Sequence, residues 1–377
     1  MENKNERERS ASQWKEQFEQ ARRAEIRHQR RKRAQRQRVI LGLAVLLVVI
    51  GIVVTAVLFL GRKDDTVQEN KTPDIQNSLQ ENHTNSGDEK NGDTEKAADT
   101  PSISDIPNTA DTSDTQSAGN TVLQLSEADK YTGDLILVNA DYRYHVEENS
   151  ASVQLVYVAD AKGGDYTVSG PEVQLAGRII APLDRMIAAC EEETGSRLTG
   201  ISSAYRSIEY QQDLYEEYTN TYGLEYAQAY VANPGYSEHH TGLAMDLSIY
   251  YEDGSEGTFS TSAEAVWYAD NSYRFGFVRR YQASKTEITR ISNEEWHFRY
   301  VGIPHAYYMY QHDLCLEEYV DWLRRNTSES SPVTQVCGGE TYEIFFTTNT
   351  SVSLPKESEY SVSGNNVDGY VIAYRMK

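Results

Sequence analysis

The spacing of apolar positions divides the chain into an arm, a hydrophobic run, a polar stretch and a patterned region. Residues 39–60 carry no charged side chain and are dominated by Val, Leu and Ile. At about 1.5 Å per residue such a run extends roughly 33 Å, enough to cross a hydrocarbon core of about 30 Å. It is longer than a usual signal-peptide core, and no small-residue cleavage site clearly follows. The pattern therefore predicts a retained transmembrane helix over residues 39–61. Apolar positions are then sparse, and no aromatic residue occurs between Phe59 and Tyr131. Such a stretch cannot bury enough surface to offset its chain entropy, so residues 62–120 read as a disordered linker.

Patterned apolar positions return at residue 121. Residues 135–139 and 153–158 read as strands. Leu175, Ile179, Ile180, Leu183, Met186, Ile187 and Cys190 follow a helical period, with Pro182 starting or kinking the helix and Gly195 capping it. Strands are expected at 198–205, 243–250, 275–280 and 296–301. Helices are expected at 207–223, 224–232, 262–273 and 314–325, the last with Val320, Trp322 and Leu323 turned inward. Four strand-like pieces close the chain, at 342–347, 352–354, 360–363 and 369–374. Segregated helices and short strands indicate an α+β domain over residues 121–330 with a C-terminal β extension over 331–377.

Charge sharpens this division. The formal charge is −21, yet residues 1–38 hold thirteen Lys/Arg against six Glu, a balance of +7, so the remainder carries −28 (−21 − 7). The arm is then cytoplasmic by the positive-inside rule and everything after the span is exported. A polyanionic body excludes nucleic acid as a partner. Three cysteines, Cys190, Cys315 and Cys337, are too few for a disulfide framework, and none stands in a Cys-x-x-Cys pair. Unpaired buried thiols are expected, a Cys315–Cys337 bridge being the alternative.

Candidate chemistry concentrates in two places. His239 and Asp246 are seven residues apart, and a turn at Thr241–Gly242 followed by a strand would bring both into one cleft. His297, heading another strand, completes three N/O ligands that leave a fourth position for water, the ligand set of a catalytic zinc site. Glu294, three residues earlier, is placed to act as general base and then general acid. His240 reads as a supporting or substrate-facing group, with an exchange of His239 and His240 as ligands left open. His28, His83, His145, His305 and His312 read as ordinary surface or core histidines. Trp296 reads as packing beneath the site. Tyr215, Tyr218, Tyr222, Tyr226 and Tyr230 read as the edge of a core, with stacking on glycan left open.

The stretch Ser237-Glu238-His239-His240-Thr241-Gly242-Leu243-Ala244-Met245-Asp246 resembles the Ser-x-His-x-x-Gly-x-Ala-x-Asp signature of VanY-type zinc D-alanyl-D-alanine carboxypeptidases. These are LAS metallopeptidases, kin to lysostaphin-like and hedgehog-like zinc folds. Three further pieces match in order: Leu135-Ile136-Leu137-Val138-Asn139, then Ser203-Ala204-Tyr205-Arg206-Ser207 with Tyr210-Gln211, then Glu294-Glu295-Trp296-His297-Phe298-Arg299-Tyr300. The likeness runs from residue 135 to 325, half the chain, and residues 362–369 resemble a C-terminal extension of some relatives. His240 stands where Gln is frequent and Glu295 where Pro is frequent; neither is a ligand position.

The resemblance implies a single extracytoplasmic zinc-peptidase domain with a central antiparallel sheet. It implies His239, Asp246 and His297 as zinc ligands and Glu294 as catalytic base. Arg206 would bind substrate and stabilise the oxyanion, Ser237 would contact the substrate carboxylate, and Gln211 would line the same pocket. The implied activity is a membrane-anchored carboxypeptidase that releases D-alanine from peptidoglycan stem peptides in a Gram-positive wall. L,D-cleavage of tetrapeptide stems, a crossbridge endopeptidase and a non-catalytic wall-binding module on the same fold are the alternatives. Glu294 and Arg206 together speak against a pure binding module, which needs neither.

Overall fold

The structure is a computed structural model and describes residues 120–150 and 152–377. The basic arm, the predicted span and the acidic linker up to residue 119 lie outside the described residues; Asn120, the last residue of the predicted linker, begins a strand. Among the described residues no helix is long and apolar enough to cross a membrane.

The core of the α+β fold is a six-stranded sheet. Its order is Thr167–Val168, Thr199–Ser203, Ala244–Tyr250, His297–Tyr300, Phe277–Arg279, with Glu256–Gly257 also paired to Ala244–Tyr250. The pairings are antiparallel except at one edge, where Thr167–Val168 runs parallel to Thr199–Ser203. That exception corrects the wholly antiparallel expectation. The chain between these two strands passes through the helix Ile180–Thr194, and a crossover of that length returns a strand in parallel. The strand Ala244–Tyr250 is buried along nearly its whole length, which explains its apolar run and makes Asp246 conspicuous. Register then sets a row across three strands: Ser203 lies opposite Asp246, and Asp246 opposite His297.

Helix ends follow from local chemistry. The Ser207 and Ser262 hydroxyls each accept from a backbone N–H three residues on, at 3.1 Å, and start the helices Ile208–Tyr222 and Ala263–Asn271. Gly195 ends the helix Ile180–Thr194 in the left-handed region (φ 73°). The helix Ile303–Gln311 escaped the sequence reading. Its buried positions are His305, Ala306, Tyr308 and Met309 rather than a run of aliphatics. The strand Val333–Cys337 escaped as well.

Residues 135–139 do not form the expected strand. They run buried with their backbone groups taken by other partners. The Ile136 carbonyl accepts from Arg299, Leu137 N–H donates to the Asn365 carbonyl, and the Leu137 carbonyl accepts from the Asn366 amide. An apolar run marks burial, but only a free neighbouring strand makes a ladder.

The C-terminal strands form an antiparallel sheet in the order Val333–Cys337, Glu340–Thr347, Tyr370–Arg375, Tyr360–Gly364. Ile344, Phe346, Val371 and Ala373 share one core with Leu135, Leu137, Met309 and Leu323. The strand Asn120–Gln124 pairs with Ser351–Pro355 and closes a second core through Leu123, Phe345 and Ile372. The turn after Tyr360–Gly364 docks on residues 130–143. Asn366 donates to the Leu137 and Arg143 carbonyls at 2.6 and 2.8 Å, and a Cβ at Gly364 would collide with the Lys130 carbonyl. Cys190, Cys315 and Cys337 are free and buried, as expected.

One buried histidine in this core gives a pH prediction. His305 faces the Tyr319 hydroxyl at 2.8 Å, and burial pushes its imidazole down to about 4. The unfolded chain takes up a proton near pH 6.5, the folded one only near 4, so this contribution is complete above 6.5 and is lost as pH falls towards 4. Between pH 7 and 5 the loss amounts to about 2 kcal/mol. Urea unfolding of His305→Gln is expected to show a correspondingly smaller loss than wild type over that interval. Equal losses would refute it.

Candidate metal centre

His239 sits in a single 3₁₀ turn, Glu238–Thr241. Ser237 begins the turn, its hydroxyl 3.4 Å from His239 N–H, and Gly242 ends it with φ 68°. A side chain at Gly242 would also press on Leu155 at 2.7 Å, so the turn needs glycine twice over. The chain then enters the central strand and presents Asp246 beside its ladder partner His297. Glu294 stands three residues before His297, its N–H bonded to the Tyr281 carbonyl at 2.8 Å. Ser292 N–H, bonded to the Ala229 carbonyl at 3.0 Å, anchors the same approach to the helix Leu224–Tyr230.

His239, Asp246 and His297 are all buried, and one ligand atom of each lies within 4.8 Å of the others. His239 Nδ1 faces the Ala204 carbonyl at 2.6 Å, so its proton is committed there and Nε2 is turned to the group. His297 has the opposite arrangement. Its Nε2 faces Glu238 Oε2 at 3.1 Å, and its Nδ1 lies 3.2 Å from Asp246 Oδ1. Two imidazoles, each with its far nitrogen engaged by an oxygen, and one carboxylate converge on a point. That donor set fits a metal ion.

These groups act strongly on one another. Burial pushes the His239 imidazole down to about 4, with the Arg206 charge adding to the effect, so the ring is held neutral. Burial opposes charge on His297 too, but Asp246 and Glu238 outweigh it and hold that ring up at about 9. Asp246 would be raised by burial; instead His239 and His297 hold it well below the usual carboxylate range. Burial pushes the Glu294 carboxyl up to about 8, its Oε2 standing 3.7 Å from His297 Nδ1.

Arg206 is held from several sides. Its guanidinium donates to Ser203 Oγ at 3.1 and 3.2 Å, to Gln211 Oε1 at 3.3 Å and to Asp246 Oδ2 at 3.2 Å, and it lies 3.1 Å from His239 Nε2. Gln211 is fully buried and donates to the Ala232 carbonyl at 2.9 Å. It therefore braces Arg206 instead of lining a pocket. Ser237, 4 % exposed, caps the histidine turn. His240 points away from the ligand group: its Nδ1 meets the Arg206 carbonyl at 2.7 Å and its Nε2 accepts from Gly235 N–H at 3.0 Å. Among the described residues it is His239 whose ring faces Asp246 and His297. Trp296 is buried, as expected of a packing residue.

The family model described as VanY, D-alanyl-D-alanine carboxypeptidase, matches residues 172–303, which contain Arg206, His239, Asp246, Glu294 and His297. A D-alanyl-D-alanine carboxypeptidase of Enterococcus faecium is 33% identical over 252 residues, covering 66% of this chain and 77% of the relative. The chain belongs to the VanY family. A second family member, a D-alanyl-D-alanine carboxypeptidase of Enterococcus faecalis, is 45% identical over 131 residues, 32% of this chain and 47% of that one. Among solved structures, the vancomycin-resistance D,D-dipeptidase VanXYg in complex with a D-Ala-D-Ala phosphinate analogue superposes with a TM-score of 0.60. It is 28% identical and covers 69% of this chain and 100% of its own.

Beneath the ligands of this VanY-family chain lies a charged layer that the sequence reading did not assign. Glu238, wholly buried, places Oε1 3.0 Å from Arg280 Nε and 3.2 Å from Arg299 Nη1. Arg280 grips Glu317 with both terminal nitrogens, at 2.9 and 2.8 Å. Burial would raise Glu238, but the two guanidiniums outweigh it and hold the carboxyl at about 2. One signal was available. Arg299 follows His297 by two residues in a strand and must share its face. Glu238 and Glu317, on a turn and a distant helix, carried none.

Proposed function

We propose that this VanY-family chain is a zinc carboxypeptidase that hydrolyses the terminal D-Ala-D-Ala bond of peptidoglycan stem peptides, releasing D-alanine. The observation that carries the reading is the convergence of His239, Asp246 and His297 beside Glu294 and Arg206 in a chain of this family. The first three would hold the ion. When bound, zinc supplies a Lewis acid that polarises the scissile carbonyl and acidifies water.

The side chains account for the proton and charge movements. The Glu294 carboxylate takes a proton from the attacking water and returns it to the nitrogen of the departing D-alanine, so one group serves as base and then acid. The Glu294 carboxyl, buried beside His297, is placed to hold that proton between the two steps. Arg206, braced by Ser203 and Gln211, offers N–H donors to the oxygen that becomes negative as the carbonyl carbon turns tetrahedral. Ser237 is proposed to meet the substrate's terminal carboxylate, as the resemblance implies.

The hydrophobic run of residues 39–61, with a basic arm before it and an acidic stretch after it, supports a single-pass anchor with the peptidase outside the cell. A tethered exported domain suits a substrate lying just above the membrane.

Incubation of the full-length protein with pentapeptide and tetrapeptide stems, followed by mass spectrometry with and without a chelator, tests the activity. Loss of one alanine from the pentapeptide alone, abolished by chelation, is the expected result. Loss from the tetrapeptide would replace it with L,D-cleavage. No cleavage of either by zinc-loaded protein would leave a binding module.

A further inference from the structure

The charged layer beneath the metal centre has a definite polarity. N–H groups face both oxygens of the Glu238 carboxylate: His297 Nε2 lies 3.1 Å from one, Arg299 Nη1 donates to the other at 3.2 Å, and Arg280 Nε stands 3.0 Å from that same oxygen as an ion pair. Arg299 in turn donates to the Asp134 and Ile136 carbonyls at 3.0 and 3.2 Å, and Arg280 to Glu317. His297 can turn Nδ1 towards Asp246 and His239 only if its proton sits on Nε2 and something there accepts it.

We propose that Glu238 is the positioning residue of the metal centre, fixing His297 with Nε2 protonated and Nδ1 presented to the ion. It makes no contact with the reacting atoms. The inference rests on the zinc reading above. Only a carboxylate satisfies donors on both sides. An amide at this position has one accepting end, and two guanidiniums compete for it against a single ring nitrogen. The NH₂ end would then face His297 Nε2, which calls for a lone pair there and moves the ring proton to Nδ1, the nitrogen the ion needs.

The test is Zn²⁺ affinity of full-length wild type and Glu238→Gln by competition with a chromophoric chelator, below the unfolding temperature of both. Wild type is expected to bind one Zn²⁺ and the variant to bind it roughly 10- to 100-fold more weakly with unchanged circular dichroism. In zinc-loaded, ¹⁵N-histidine-labelled wild type, the His297 Nε2–H proton is expected far downfield and protected from exchange, and in the variant to lose both properties. A purely structural role would leave that signal in place. Should the glutamine variant not fold, Glu238→Asp keeps the negative charge while its shorter side chain draws the carboxylate back from His297, and the same weakening is expected of it. A folded variant with affinity within about twofold of wild type, or one retaining the protected proton, overturns the proposal. Wild type that binds no Zn²⁺ overturns the zinc reading instead, which keeps the two failures distinct.

Discussion

Glu294→Ala is expected to lower kcat on a D-Ala-D-Ala-terminated pentapeptide by roughly 10²- to 10⁴-fold, the range for a positioned general acid–base. Zn²⁺ should still bind, because the three proposed ligands remain. KM should change little, since Glu294 acts on protons in flight and not on the resting substrate. The backbone here is secured by the Tyr281 carbonyl at Glu294 and the Ala229 carbonyl at Ser292, so truncating the side chain should not release the loop. Steady-state kinetics and metal content of the same preparation decide the matter. Turnover within tenfold of wild type would remove Glu294 from the mechanism. A large loss accompanied by loss of metal would recast it as a structural support.

Arg206→Lys is the second large effect. A lysine preserves the charge, yet it cannot reproduce a guanidinium that reaches Ser203, Gln211 and Asp246 at once. Loss of one oxyanion donor typically lowers kcat by roughly 10²- to 10³-fold, and a drop of that size is expected, carried by kcat more than by KM. Arg206→Lys that changes only KM would make the residue a substrate clamp. Gln211→Leu should repeat the defect in milder form, because it removes the buried amide oxygen that accepts from the guanidinium at 3.3 Å.

The positions legible in the sequence are those set by local rules. A glycine-terminated turn puts His239 before the central strand, alternation puts Asp246 on its face, and Glu294 and His297 are near neighbours in the chain. The helices with serine caps and glycine stops were legible for the same reason. What was hidden depends on distant partners. Residues 135–139 have the apolar content of a strand, but arginine and asparagine side chains take their carbonyls. Gln211 looked like a pocket residue until its burial behind Arg206 was visible. Glu238 gave no sign of its buried contacts, because its partners come from residues 280, 297 and 299, brought near by strand pairing. The parallel edge of the sheet likewise depends on a crossover that no short-range pattern announces.

The anchoring of Arg280 by Glu317 and of Arg299 by the Asp134 and Ile136 carbonyls bears on what counts as the minimal enzyme. The stretch 172–303 contains every proposed ligand, yet the locks on Glu238 are fastened outside it, at Glu317 and at the Asp134 and Ile136 carbonyls, and the C-terminal turn pins the neighbouring Leu137 carbonyl through Asn366. A gene fragment cut to that stretch would carry the chemistry without its foundation.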